Sequence, residues 1–264
     1  MSSDDTALFI PDGDRFLPTG HTRGPWDRRF QHGGPPSALL AHCIEQVEAP
    51  APMEIARITV ELMRPVPVDM PMRVSTRVVR PGRKVQVVEA LLLGEGGEEI
   101  CHARALRIRR EEVELQTHGV TVIEQPPPPE SGTVQQGIGG EEAFAVSGVE
   151  LRFVRGIFFE LGPSTVWIRL CHPVVLGAEP SGVQRACAAA DFGNGVSSIY
   201  EWGRTVFINP DLTVHLGRMP AGEWICLEAV THNGTHGRAL AESRLFDTQG
   251  LVGRSLQSLL VEPL

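Results

Sequence analysis

A few polar residues stand where polar chemistry is conspicuous. Asp211, in Asn209-Pro210-Asp211, is a carboxylate just ahead of an apolar run and can serve as a base or as an orienting acceptor. The same tripeptide is also good turn chemistry before a strand. Gln257 interrupts the apolar run Ser255-Leu256-Gln257-Ser258-Leu259-Leu260, where an amide must find partners or face outward. Its donor and acceptor suit it to holding a water. In Gly33-Gly34-Pro35-Pro36, proline suits a first helical turn, and the two glycine amides are free to receive a carbonyl oxygen that gains charge. A tight strand-to-helix entry would need the same glycines. Gln31 and His32 flank this turn, and His32 can donate to a substrate carbonyl or simply pack. Asp191 follows Ala188-Ala189-Ala190 and reads mainly as the end of a helix, with a functional carboxylate as the alternative. Arg80 and Arg83 sit in the densest basic turn, which reads as an anion-gripping fork or a solvated hairpin tip.

The elements that must position these groups follow from periodicity. Leu40, Cys43, Ile44 and Val47 have helical spacing, which predicts a helix from Pro36 to about Val47, apolar on nearly every side. Val183, Ala186, Cys187 and Ala190 predict a second from about Ser181 to Ala190. Alternating or continuous apolar runs predict strands at Met72–Arg80, Lys84–Leu93 and Glu99–Arg110, and again at Glu223–His232, Arg238–Phe246 and Leu251–Val261. Turn residues separate them, including Pro81-Gly82 and Asn233-Gly234.

The chain also resembles itself. Ile58-Thr-Val-Glu-Leu-Met-Arg64 and Leu212-Thr-Val-His-Leu-Gly-Arg218 agree at four of seven positions at an offset of 154 residues, and Gly82-Arg83 recurs as Gly237-Arg238 at an offset of 155. Each motif follows a predicted helix and precedes further strands. Between the halves lies an acidic, Pro- and Gly-rich stretch with four consecutive prolines, Pro126 to Pro129. These features divide the chain into units at 1–110 and 145–264, joined by a linker at 111–144. Each half reads as a strand, one helix and four antiparallel strands, an α+β fold whose sheet is best covered if it curls around its helix.

Composition narrows the function. The 264 residues are 42% hydrophobic and 21% charged, a globular balance that excludes general disorder. A formal charge of −8 argues against general nucleic-acid binding. No apolar run is long enough for a membrane span, and MSSDDTALFIPDGD lacks the basic and apolar regions of a signal peptide, so a cytoplasmic protein is expected. Five scattered cysteines without a C-x-x-C pair read as reduced core residues. The chain contains no metal-ligand cluster, Gly-rich nucleotide loop or G-x-S-x-G elbow.

With the repeat, three segments bring a family into view: Gly24-Pro-Trp-Asp-Arg-Arg-Phe-Gln-His-Gly-Gly-Pro-Pro36, Asn209-Pro-Asp-Leu-Thr-Val-His215 and Glu223-Trp-Ile-Cys-Leu-Glu228, followed by Ser255-Leu-Gln-Ser258. In this order and spacing the chain resembles the acyl-CoA thioesterase II (TesB-like) group of double hot-dog proteins over nearly its whole length. The resemblance implies two tandem hot-dog units, each a curled antiparallel sheet around one long helix. It implies hydrolysis of a fatty or related acyl-CoA thioester by direct attack of water, with no cofactor and no metal. It implies that an Asp and a Gln hold the water, here Asp211 and Gln257. The family's hydroxyl position falls on His232 in a gap-free alignment, with Thr231 or Thr235 as alternatives. Gln31, His32, Gly33 and Gly34 become candidate substrate contacts, and Arg80 and Arg83 candidate contacts for the phosphates of coenzyme A. A hot-dog hydratase would place an Asp and a His five residues apart, whereas Asp211 and His215 are four apart. A protein that binds acyl-CoA or another hydrophobic ligand without turnover is the remaining alternative. Assembly of such tandems into a homo-oligomer is left open.

Overall fold

A computed structural model describes residues 6–264; the first five residues of the opening stretch read above as lacking a leader lie outside it. Fourteen strands among the described residues form one antiparallel sheet. In chain order they are β1 (Phe9–Asp12), β2 (Arg15–Pro18), β3 (Met53–Leu62), β4 (Met72–Arg80), β5 (Val85–Leu93), β6 (Glu99–Arg109) and β7 (Thr133–Gln135). The remainder are β8 (Val149–Arg155), β9 (Ser164–Leu170), β10 (Thr205–Ile208), β11 (Asp211–Leu216), β12 (Trp224–Asn233), β13 (Arg238–Asp247) and β14 (Gly250–Pro263). The spatial order is β1-β2-β4-β5-β6-β3-β11-β14-β13-β12-β9-β8-β7, with β10 pairing beside β14.

The junction of β3 and β11 joins the two repeated motifs. Thr213 lies opposite Thr59, Leu212 opposite Val60 and Val214 opposite Ile58, and the Thr213 hydroxyl donates to that of Thr59 at 3.1 Å. Residues related by the 154-residue repeat therefore meet on antiparallel strands, so neither motif strand is an open edge.

Two helices cover this sheet. α1 (Gly34–Glu45) begins two residues before the predicted start, because Pro35 and Pro36 fit inside its first turn, where a missing N–H costs nothing. α2 (Gly182–Ala190) is capped by Ser181, whose side chain accepts from Gln184 N, and ends at Asp191. α1 packs on β3 to β6, α2 on β9 and β11 to β13, and the helices pack on each other. That double covering explains why α1 is apolar nearly all round. A four-residue helix, α3 (Gly193–Val196), follows at once.

The stretch expected to be a linker or a long extended crossing has structure of its own. It carries β7, paired to β8, and Trp167 fastens it by donating its indole N–H to Pro127 O at 2.7 Å. Phe144, inside the expected linker, is fully buried and opens a single π-turn, Phe144–Gly148. All five cysteines are free, and Cys171 is exposed instead of lying in the core. Among the described residues, no helix is long and apolar enough to cross a membrane.

Candidate active site

The C-terminus of α2 meets the N-terminus of α1 beside a cavity of about 430 Å³, lined by residues from both halves of the chain. Helix α2 delivers Asp191 to it, and the turn before α1 delivers His32 and Gly33. His32 Nδ1 lies 2.7 Å from Asp191 Oδ2, with the two side chains only 11% and 4% exposed. Gly34 N also lies 3.2 Å from the same ring nitrogen. One nitrogen cannot donate to a carboxylate and accept from an amide at once. We assign the proton on Nδ1 to the shorter, charge-assisted contact with Asp191, which in the neutral ring leaves a lone pair on Nε2.

The other carboxylate oxygen is held from behind. Asp191 Oδ1 accepts from Asn209 Nδ2 at 2.8 Å and from Gln257 Nε2 at 3.4 Å. Gln257 also donates to Asp191 O at 3.3 Å and accepts from Asn194 N at 3.0 Å, which fixes the orientation of its amide. The short bonds from Asn209 and His32 are charge-assisted and hold the carboxylate, and the longer Gln257 contacts lie behind it.

Two glycines make room for this network. A Cβ on Gly33 would lie 2.8 and 2.9 Å from the Asp191 oxygens, and one on Gly193 would lie 2.6 Å from Gln257 Oε1. Glycine is required there for close approach, since Gly33 itself has ordinary helical torsions. His32 also packs against the rings of Phe144 and Phe192, at 5.2 and 4.6 Å.

Several sequence expectations meet a different geometry. Asp211 does not line the cavity; its Oδ1 accepts from Ser258 N at 2.7 Å and ties the start of β11 to β14. The carboxylate that Gln257 meets is Asp191, read above mainly as a helix end. His232 is exposed and faces Glu242 at 3.3 Å, because alternation along β12 turns its neighbour Thr231 inward, where it bonds Ser197 Oγ at 2.8 Å. Thr231, one of the alternatives, is thus the buried hydroxyl. Gln31 lines the cavity, but its Nε2 is committed to Pro67 O at 2.7 Å. Arg80 and Arg83 are exposed around the β4–β5 hairpin and do not line the cavity; the arginine that does is Arg64. Asn209 was singled out only as part of a turn, and Asn194 not at all.

Comparison with known proteins decides the family. The acyl-CoA thioesterase C-terminal domain profile matches residues 123–261, and the acyl-CoA thioesterase N-terminal domain profile matches residues 22–108. The chain belongs to the acyl-CoA thioesterase family. It is accordingly a thioester hydrolase. No curated protein matches the chain.

Among solved structures, a hot-dog-fold protein of unknown function from Alicyclobacillus acidocaldarius has a TM-score of 0.74 at 17% identity, over 99% of this chain and 98% of that one. The tesB protein of Mycobacterium avium subsp. paratuberculosis has a TM-score of 0.69 at 14% identity, over 97% and 96%. Acyl-CoA thioesterase II TesB2 from Mycobacterium marinum has 0.65 at 16%, over 99% and 97%. At such identities the likeness establishes the hot-dog fold of this thioesterase.

Proposed function

We propose that the protein hydrolyses the thioester of an acyl-CoA at the His32–Asp191 pair, the carbonyl carbon being attacked directly by water. The observation that carries this reading is the 2.7 Å contact between His32 Nδ1 and Asp191 Oδ2 inside the cavity. Asp191 holds the imidazole with Nδ1 protonated, so Nε2 accepts a proton from water as its oxygen bonds to the carbonyl carbon. The amide of Gly33, which lines the cavity at the positive end of α1, is suited to the oxygen that becomes negative; Gly34 is buried outside the cavity lining, its amide directed at the His32 ring. Collapse breaks the C–S bond, the thiolate takes the proton back from the imidazolium, and a carboxylic acid and free coenzyme A leave. Asn209 and Gln257 act through Asp191 as positioning residues, and Arg64 at the mouth suits the anionic coenzyme.

A second assignment of the base has its own support. Asp191 also lines the cavity, and its three donors fill only three of about four acceptor positions, leaving one on Oδ2 for the water itself.

Both forms of the mechanism predict free thiol release from acyl-CoA and a loss of about 10²–10⁴ in kcat for Asp191→Asn with folding retained. His32→Gln separates them: a loss of similar size assigns the base to His32, and a loss under tenfold assigns it to Asp191. Full turnover in Asp191→Asn refutes the site. Stabilisation by acyl-CoA without thiol release would make the protein a binder and refute turnover altogether.

We also infer that the chain is a tandem of two hot-dog units, 1–110 and 145–264, meeting at β3 and β11. The opposition of Thr59 and Thr213, partners in the 154-residue repeat, supports an approximate twofold axis between them.

A further inference from the structure

The walls of the cavity have a composition of their own. The chain has fifteen aromatic residues, and six of them line this one cavity: Trp26, Phe30, Phe158, Phe192, Trp202 and Phe207. Four form a continuous wall. Trp26 stacks on Trp202 at 5.1 Å, Phe207 presents its edge to both at 5.2 and 4.7 Å, and Phe158 lies 6.3 Å from Trp202. Phe192 stands beside His32, at the catalytic end.

We propose that the acyl group accepted here is compact and ring-bearing, an aryl or arylalkyl acyl-CoA, in preference to a straight alkyl chain; the inference rests on the hydrolase reading above. Size is the first support. At roughly 30 Å³ per water-sized group, the cavity holds about fourteen non-hydrogen atoms, thioester included. A palmitoyl chain with its thioester takes more than that and must extend past the open mouth, whereas a phenylacetyl group fits within it with room for the thioester and the first atoms of the pantetheine arm. Shape is the second support. Aromatic faces and edges attract a flat ring through offset stacking and edge contacts, beyond the area that any apolar group buries, and an alkyl chain gains only the area. Tryptophans from the two halves of the chain meet on one wall, so the preference depends on the two halves being assembled.

Phenylacetyl-CoA and octanoyl-CoA carry acyl groups with the same number of carbons and so separate shape from size; palmitoyl-CoA tests size. The expected result is kcat/KM about tenfold higher for phenylacetyl-CoA than for octanoyl-CoA, with palmitoyl-CoA the poorest. In Trp202→Leu the phenylacetyl-to-octanoyl ratio falls about fivefold. Trp26→Leu, at a 42% exposed position where folding is safe, lowers the ratio in the same direction. Octanoyl-CoA or palmitoyl-CoA turned over as fast as phenylacetyl-CoA, or a ratio unmoved in both variants, overturns this inference and leaves the hydrolase reading standing. Silence across all three thioesters by the folded wild type refutes the hydrolase reading, and this inference with it.

Discussion

Replacing Gly33 by alanine moves one atom group against the proposed catalytic carboxylate and tests whether its position matters. Gly33 has φ −68° and ψ −18°, ordinary for alanine, so the substitution strains no backbone. The new methyl would lie 2.8 Å from Asp191 Oδ2, 2.9 Å from Oδ1 and 2.9 Å from Leu62 Cδ1. The leucine tip can swing aside; the carboxylate must retreat by about 0.6 Å to reach ordinary contact near 3.4 Å. A retreat of that size takes the 2.7 Å bond to His32 beyond the usual range for a good hydrogen bond. A misplacement of about 1 Å costs on the order of 10² in rate, so kcat should fall about tenfold. Overpacking costs about 1–3 kcal/mol and the stiffer unfolded chain returns about 0.4–1, leaving a net stability loss of about 1–2 kcal/mol. The assay is thiol release at saturating acyl-CoA alongside urea unfolding. Gly34→Ala is the comparison, because its methyl would meet the backbone oxygen of Ala188 at 2.6 Å and wedge α1 from α2. That variant should lose more stability, with activity following the folded fraction. Gly33→Ala with undiminished kcat and intact folding would refute a fixed Asp191 as part of the reaction.

Asp211→Ala removes the acceptor for Ser258 N and should cost about 1 kcal/mol of stability while kcat stays within about twofold. A hundredfold fall in kcat with folding retained would restore Asp211 as the base and remove Asp191 from that role. Asp247, its side chain wholly buried, receives Arg218 through two 2.5 Å bonds and the amides of Ala221 and Gln249 at 2.8 Å each. Burial alone would raise its pKa, but these donors outweigh it and hold the carboxyl below its ordinary value. The stability it contributes is therefore present above the unfolded pKa of about 3.9 and lost as pH falls through the lower folded value. Asp247→Asn should cost about 2 kcal/mol at pH 7, discounted because Arg218 is 36% exposed. Urea midpoints should then fall less on acidification to about pH 3 than in the wild type; equal falls would refute the linkage.

What the residues reveal about fold and site divides by the distance over which each signal acts. Helix and strand placements rest on period and turn chemistry, which are local, so the observed β4, β5, β6, β12 and β13 match the predicted runs closely. The repeat was legible because its two copies retain residues that meet face to face at Thr59 and Thr213. Asp191 is hard to weigh from its own segment because the contacts it makes lie elsewhere in the chain. His32 is 159 residues away in the chain and Gln257 is 66 away, while the local Ala-Ala-Ala-Asp text looks the same for a cap as for a base. Gln257 carried a legible signal that became decisive only with the pleat known. Along β14, Ser255 and Gln257 are buried while Leu256 and Leu260 are 40% and 43% exposed, the reverse of what hydrophobic patterning asks of a strand. Such a local violation is what the proposed positioning role of Gln257 behind Asp191 would require. The same alternation on β12 turns Thr231 in and His232 out. Period two therefore resolves what a gap-free alignment cannot: a shift of one residue exchanges the buried hydroxyl for a solvent-facing imidazole.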